Sequence, residues 1–481
     1  MTLFSTVLSM RDPLVSQPLV EDSGSVLQFN GEIFHVTQEL EKCNQQLLFN
    51  EHVKSVNDTA LLATWFGQLG VLKTLRCVRG EYAFVYYDKP ANKIWWARDC
   101  IGRRSLLVYR SDKIMVLSSV APGDPKLRAE WAEVPAGVVY QTDLTKLDTT
   151  EFLWAHEGPT TLIYPYGTPS CKLSSNSRNV DLFSSVLSAA VRRRVLAINH
   201  SPATNSYAIL FSGGIDCSII AYLTCIVLRQ HSATIDLLNV AFENPRIGGG
   251  YDTPDRVLGR RSWRELLILP QIKESSCTLR LVEIDVPFTQ VQENKLLVQE
   301  LMYPKESVMD FSIALAFFFA AKGCGTLFKS PSSTGQPYRT TSRILISGLG
   351  ADELFAGYMR HATEFKHRGY EALVGELALD FGRLHERNLG RDDRVGAFWS
   401  REFRYPFLDE DFVSFALECP VDVKMREVNG AVEGKWLLRQ FAREVGLTQV
   451  ATEKKRAIQF GARSAKMEAG QGKVKGTAKF V

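Results

Sequence analysis

The chain has no Cys-x-x-Cys pair, its nine cysteines being scattered over 481 residues. That scatter gives neither metal-ligand spacing nor a disulfide framework, and fits reduced intracellular thiols. There is little net charge, +4, too small a basic excess to argue for a nucleic-acid partner or a membrane surface. Long hydrophobic runs are missing as well. The longest, Ile313 to Ala321, falls far short of the roughly 20 residues that span a bilayer. The opening Met1-Thr2-Leu3-Phe4 carries no basic segment leading into an apolar one, so no secretory signal is visible and a cytoplasmic protein is expected. No internal repeat is visible. The length implies two to three domains, each large enough for its own core.

What is there centres on Tyr207 to Leu228. Tyr207-Ala208-Ile209-Leu210-Phe211 reads as a buried strand, Ser212-Gly213-Gly214-Ile215-Asp216 as a tight loop, and Cys217 to Leu228 as an apolar helix. A strand, a glycine loop and a helix start form an anion site, because the first N–H groups of a helix lack intrahelical partners and face outward. Two glycines let a phosphate approach, and the Ser212 hydroxyl adds a donor. Asp216 makes sense beside phosphate only with a cation such as Mg²⁺ between them. No Gly-Lys-Ser/Thr follows, so this is not a Walker A loop.

Downstream, Ile235 to Phe242, Leu279 to Val286 and Ile344 to Ile346 read as strands, separated by apolar helical segments such as Val308 to Ala321. The alternation predicts an α/β domain with a parallel sheet and ligands outside the carboxyl ends of its strands. Ser347-Gly348-Leu349-Gly350-Ala351-Asp352-Glu353 repeats the pattern of strand, glycine loop, acid and helix. Asp216 and Asp352 are therefore expected to converge on one Mg²⁺–pyrophosphate. Upstream, Val180, Phe183, Val186, Leu187, Ala190 and Val191 mark one face of a helix. Arg192, Arg193 and Arg194 are expected at its solvated end. Residues 1 to about 165 read differently, as short strands with a hairpin around Lys89-Pro90-Ala91-Asn92 and a helix opened by Asn57-Asp58-Thr59, Asp58 being the expected cap. Residues 155 to 178, rich in Gly, Pro, Ser and Thr, read as the connector.

Four segments of the first part resemble the class II glutamine amidotransferase domain: NGEIF at 30–34, NDT at 57–59, RGEYAFVYYD at 79–88 and ARDCIGRRSL at 97–106. The two glycine loops, with NLGRDDR at 388–394, RYPFLD at 404–409, GKWLLR at 434–439 and KRAIQFG at 455–461, resemble the synthetase domain of asparagine synthetase. The resemblance implies a truncated α+β amidotransferase domain of the N-terminal-nucleophile hydrolase type over 1–165. It implies a Rossmann-like ATP-pyrophosphatase domain with a helical C-terminal part over 179–481. The set Pro254-Asp255-Arg256 with Gly259-Arg260, NLGRDDR and KRAIQFG looks closest to one branch of that family.

By carry-over, Asn30, Gly31, Glu32 and Asp99 would hold a substrate glutamine. Ser212, Gly213, Gly214, Asp216 and the Cys217 N–H would hold the phosphates of ATP, with Asp216 and Asp352 on Mg²⁺ and Lys455 near the α-phosphate. Leu210 and Val240 would flank adenosine, and Ser347 and Gly348 would give backbone contacts. The implied reaction joins aspartate to ammonia or a glutamine-derived nitrogen through an aspartyl-AMP, releasing pyrophosphate and AMP. Three departures stand out. The family's N-terminal cysteine nucleophile has no counterpart, since position 2 is Thr2 and the first cysteine is Cys43, and no Arg-Gly-Pro-Asp segment follows. Glutamine hydrolysis by this chain as written is therefore not expected. Cys217 stands where a serine is usual, at an expected modest loss. Leu349 stands where active synthetases carry a glutamate base, and losing one positioned base costs about 10²–10⁴-fold. An amide ligase is thus weighed against a nucleotide-binding scaffold that keeps the fold. Another ATP-pyrophosphatase, tRNA-modifying or NAD-forming, is disfavoured by the amidotransferase-like front part. The oligomeric state is not legible.

Overall fold

The computed structural model describes all residues except 11–12, 39, 41–56, 158–161, 174–178, 197–204, 249, 468–474 and 480–481. Cys43, Arg11-Asp12 and parts of the expected connector lie outside the described residues. The chain forms two units: Met1–Gly167 with Leu196–His200 and Leu384–Asp393, and Thr168–Val195 with Ser201–Arg383 and Arg394–Val481. The segment Leu384–Asp393, expected within the second domain, thus groups with the first unit.

The first unit contains β1 (Leu19–Val20), β2 (Val26–Val36), β3 (Val78–Asp88), β4 (Lys93–Arg98), β5 (Leu107–Arg110), β6 (Met115–Ser118), β7 (Ala132–Glu133), β8 (Val138–Asp143), β9 (Asp148–Ala155) and β10 (Leu162–Ile163). Seven of them form one sheet in the order β1-β2-β3-β4-β8-β9-β10. The expected hairpin is β3–β4, pairing Asp88 with Lys93, and Asn92 takes the positive φ (51°) that its turn requires. Apolar alternation buries Trp96 and Tyr140, stacked at 4.0 Å, with Ile94, Leu106 and Val134. Helix α1 (Asp58–Leu69) is capped by Asn57, whose side chain accepts from Thr59 N, not by the expected Asp58. The Asp58 carboxylate instead accepts from the Ile33 amide at 3.0 Å, a long-range bond invisible to local cap statistics.

In the second unit, α2 (Asn179–Leu196) presents Val180, Phe183, Leu187, Ala190 and Val191 inward. The three arginines at its end correct the expected solvated cluster. Arg192 is exposed, but Arg194 is fully buried, and Arg193 and Arg194 both bond the buried Asp409 carboxylate. Burial of a charge is tolerated here because it is paired.

The sheet of this unit follows the expected runs: β11 (Ser206–Leu210), β12 (Thr234–Phe242), β13 (Thr278–Val286), β14 (Cys324–Phe328), β15 (Gln336–Arg339), β16 (Ile344–Ile346) and β17 (Glu402–Arg404). Their order is β15-β14-β13-β12-β11-β16-β17. The strands β13, β12, β11, β16 and β17 run parallel, while β14 and β15 add an antiparallel edge, so the sheet is mixed. Helix α3 (Ile215–Val227) leaves β11, packing with α4 (Pro254–Ile268) and α7 (Trp436–Glu444). Helix α5 (Val308–Lys322) lies against β12 and β13, with Phe319 edge-on to Phe242 at 5.9 Å. The short α6 (Ala351–Leu354) follows β16. Among the described residues, no helix is long and apolar enough to cross a membrane.

Strand β11 lies between β12 and β16, reached by crossovers in opposite directions. This is the switch point at which α/β sheets open a crevice at their carboxyl ends. Ile209, fully buried, sits between Leu237 and Ile346 at this point. Ile209→Ala is expected to destabilise the fold by about 2–5 kcal/mol. A urea midpoint within error of the parent would contradict this placement of the core.

Candidate functional site

The two glycine loops leave adjacent parallel strands, β11 and β16, on the same side of the sheet. They touch: a Cβ placed on Gly348 would lie 3.0 Å from Asp216 Cβ. Gly213 has φ 82° and packs on α4, where an added Cβ would meet Gly259 N at 2.5 Å, so the first loop requires glycine twice over. Beneath it, the Asn239 amide donates to the carbonyls of Phe211 (2.8 Å) and Asp255 (2.9 Å). Arg256 Nε donates to Asn239 Oδ1 at 2.8 Å. The end of β11 is therefore fixed by a fully buried polar network, in which each bond is stronger than its solvent-exposed equivalent.

The acids meet. Lys435 Nζ donates to both oxygens of Asp216, at 2.7 and 2.6 Å, and lies 2.6 Å from Asp352 Oδ1. Lys455 Nζ bonds the other Asp352 oxygen. Two carboxylates and two ammonium groups make a neutral cluster. Burial alone would raise the Asp352 carboxyl, but the charges of Lys435 and Lys455 outweigh it and hold that carboxyl well below the ordinary range. Lys435 is buried and has a left-handed backbone (φ 57°, ψ 34°) at the start of α7. A side chain at Gly357 would overlap both Asp352 and Lys435.

Of the other expected residues, Leu210 ends β11 and Val240 lies two residues beyond Leu210's partner Leu238 on β12. Ser212 Oγ accepts from Gly214 N at 3.3 Å, and Ser347 Oγ accepts from Leu349 N at 3.2 Å. Cys217 lies in the first turn of α3, its thiol donating to Gly214 O. Burial pushes that thiol up to about 11, so it stays protonated and unreactive near neutrality.

The reading of the residues gave no site role to Lys435, Glu353, Tyr358 or Asp255. Tyr358 Oη donates to Glu353 Oε1 at 2.5 Å, and burial, then the neighbouring Asp352, pushes the Glu353 carboxyl up to about 7. Lys435 lies in GKWLLR, one of the segments that carry the family resemblance, but that segment gave the lysine no role of its own. Among the described residues no group of three or more His, Cys, Asp or Glu could hold a metal. The Asp216–Asp352 pair nevertheless fits Mg²⁺, which takes one or two carboxylates and completes its shell with phosphate oxygens and water.

In the first unit, Asn30, Gly31 and Glu32 lie on β2, opposite Ala83, Tyr82 and Glu81 of β3. Asp99 accepts from the amides of Tyr82, Ile101, Gly102 and Arg103 and from Arg103 Nε, all between 2.9 and 3.1 Å. A carboxylate offers about four lone-pair sites, so its acceptor capacity is filled. Asn30 Nδ2 donates to Asp393 Oδ2 at 3.3 Å, which also accepts from Ser105 N. Glu32 is buried.

Comparison with known proteins agrees with this architecture. The family model described as asparagine synthase matches residues 362–474, and that of a glutamine amidotransferase domain matches 7–122. An asparagine synthetase domain-containing protein of Saccharomyces cerevisiae is 37% identical over 96% of this chain and 84% of its own length. The chain belongs to the asparagine synthetase family. Asparagine synthetase domain-containing protein 1 of Homo sapiens is 31% identical, over 97% of this chain and 88% of its own. A putative glutamine-hydrolyzing asparagine synthetase of Methanocaldococcus jannaschii is 24% identical, over 86% and 68%.

Asp255 gives the site a pH signature. It is buried at the start of α4 against Gly461, and burial pushes its carboxyl up to about 7 despite Arg456 and Lys455. The folded protein therefore keeps a proton that the unfolded chain releases near pH 4. Stability from this proton is whole below about pH 4 and is lost as pH rises through 7. Asp255→Asn should abolish that loss, gaining up to about 4 kcal/mol on the parent between pH 4 and 8. Urea unfolding at several pH values measures it; parallel curves for parent and variant would refute the assignment.

Proposed function

We propose that the second unit binds Mg–ATP across the Ser212–Asp216 and Ser347–Asp352 loops and acts as an asparagine synthetase-like amide ligase. The supporting observation is the meeting of Asp216 and Asp352 at the switch point between β11 and β16. In this reading Asp216 and Asp352 hold the cation. The N–H groups that open α3 and the Ser212 hydroxyl face the phosphates. Lys455 places a positive charge beside them, and Leu210 and Val240 flank the adenosine. The metal, when bound, offsets the negative charge that builds on a departing pyrophosphate. Aspartate's β-carboxylate attacks the α-phosphorus, and pyrophosphate leaves; ammonia then forms the C–N bond as AMP leaves.

A second reading, a nucleotide-binding scaffold without the full reaction, is favoured by one position. Leu349 stands in the second loop and cannot take a proton from the attacking ammonia. The filled acceptor set of Asp99 supports a first unit that does not take up glutamine, leaving ammonia as the nitrogen source.

Three measurements test these readings. Pyrophosphate release should require aspartate and vanish in Asp216→Ala; no release with any amino acid would favour the scaffold. Leu349→Glu should raise amide formation from ammonium by about 10²-fold or more, and an unchanged rate would remove that position from the mechanism. Isothermal titration should show no glutamine binding to the intact chain, and a saturable heat would overturn the reading of Asp99.

A further inference from the structure

Lys435 holds a place that the nucleotide reading assigns to a metal. Its ammonium touches three carboxylate oxygens, two of Asp216 and one of Asp352. It is also nearly inaccessible, with the side chain 2% exposed against 18% for Asp216. A divalent cation entering alone would have to evict this ammonium from its acceptors and leave it buried beside a dication. That exchange removes a paired buried charge and creates an unpaired one, which proteins do not sustain. A polyanion arriving with the cation changes the balance, because it adds negative charge and supplies the displaced ammonium with new acceptors.

We propose that Lys435 closes the Asp216–Asp352 pair to free divalent cations, so that a metal reaches the pair only together with a triphosphate. The lysine thereby selects the metal–nucleotide complex over the metal and imposes joint entry. The inference rests on the nucleotide reading and adds to it a role for one residue. The backbone supports it. Lys435 is held in a left-handed conformation, and its N–H is bonded to Phe355 O at 2.8 Å. The side chain thus enters the acid pair from a fixed base and does not sample it from a mobile one.

The test is a Mn²⁺ titration followed by the electron paramagnetic resonance signal of the free ion, on the intact chain with and without a non-hydrolysable ATP analogue. The parent and Lys435→Arg should leave the signal undiminished without nucleotide and, with nucleotide, quench it beyond the loss that the analogue alone causes in a protein-free control. Lys435→Gln and Lys435→Met should both bind Mn²⁺ without nucleotide, at least about tenfold more tightly than the parent. Adding Asp216→Asn to either should abolish that gain. Two uncharged variants are used, each checked by its thermal unfolding transition, so that a folding defect in one leaves the test standing. Parent protein that binds Mn²⁺ alone as tightly as Lys435→Gln overturns the proposal. So do folded uncharged variants that bind none alone while the parent binds the metal–nucleotide complex, an outcome that spares the nucleotide reading. Failure of every form to bind Mn²⁺ even with nucleotide defeats both.

Discussion

An ammonium ion between two carboxylates decides how the second unit is built. Asp216 and Asp352 lie on loops 136 residues apart, and their charges would drive those loops apart if nothing of opposite sign lay between them. Lys435 supplies that charge from a third part of the chain, and Lys455 adds a second from a fourth. The close approach of Gly348 to Asp216, the bare Cα of Gly357 and the buried network from Arg256 through Asn239 to the Phe211 carbonyl then follow as requirements. Each lets backbone come near enough for four charged side chains to meet, or keeps it there.

The two units use their polar residues in opposite ways. In the first, Asp99 is surrounded by its own turn, and Asn30 bonds Asp393, so side chains that the family resemblance links to glutamine hold the fold together. In the second, the acids are neutralised by long, flexible cations that can exchange partners. A carboxylate held by backbone amides is committed, because those donors cannot move without unfolding a turn. One held by lysines can be recruited.

Much of this was legible in the chain. The runs at 207–211 and 344–346 are apolar throughout and those at 235–242 and 279–286 mostly so, because parallel strands are buried on both faces, and each became a strand within a residue of its expected limits. The loops after Phe211 and Ile346 were legible because glycine beside an acid at the end of such a run has few structural uses. Other features depended on distant partners. The pairing of Lys435 with Asp216 spans 219 residues, and nothing in the GKWLLR segment that carries this lysine marks its partner. Arg194 looked solvated because Asp409, its partner, is remote in sequence. The strand β14 and the edge strand β15 are short and carry Gly325 and Pro337, which weaken any strand signal, and the proline suits an edge. Asn57 and Asp58 are both good caps, and only the distant Ile33 amide separates their roles.

The left-handed backbone at position 435 has an evolutionary reading. Glycine and asparagine adopt that conformation readily, whereas other L-residues do so at a cost of roughly 1–2 kcal/mol. Backbone strain alone would favour one of those two, but either would leave Asp216 and Asp352 without the ammonium between them, and breaking a buried pair costs more, about 3–5 kcal/mol. Glycine or asparagine at position 435 is therefore expected only where one of the two acids has been lost as well. Residues 216, 352 and 435 are thus bound to change as a set, because no one of the three charges is stable in this place without the others.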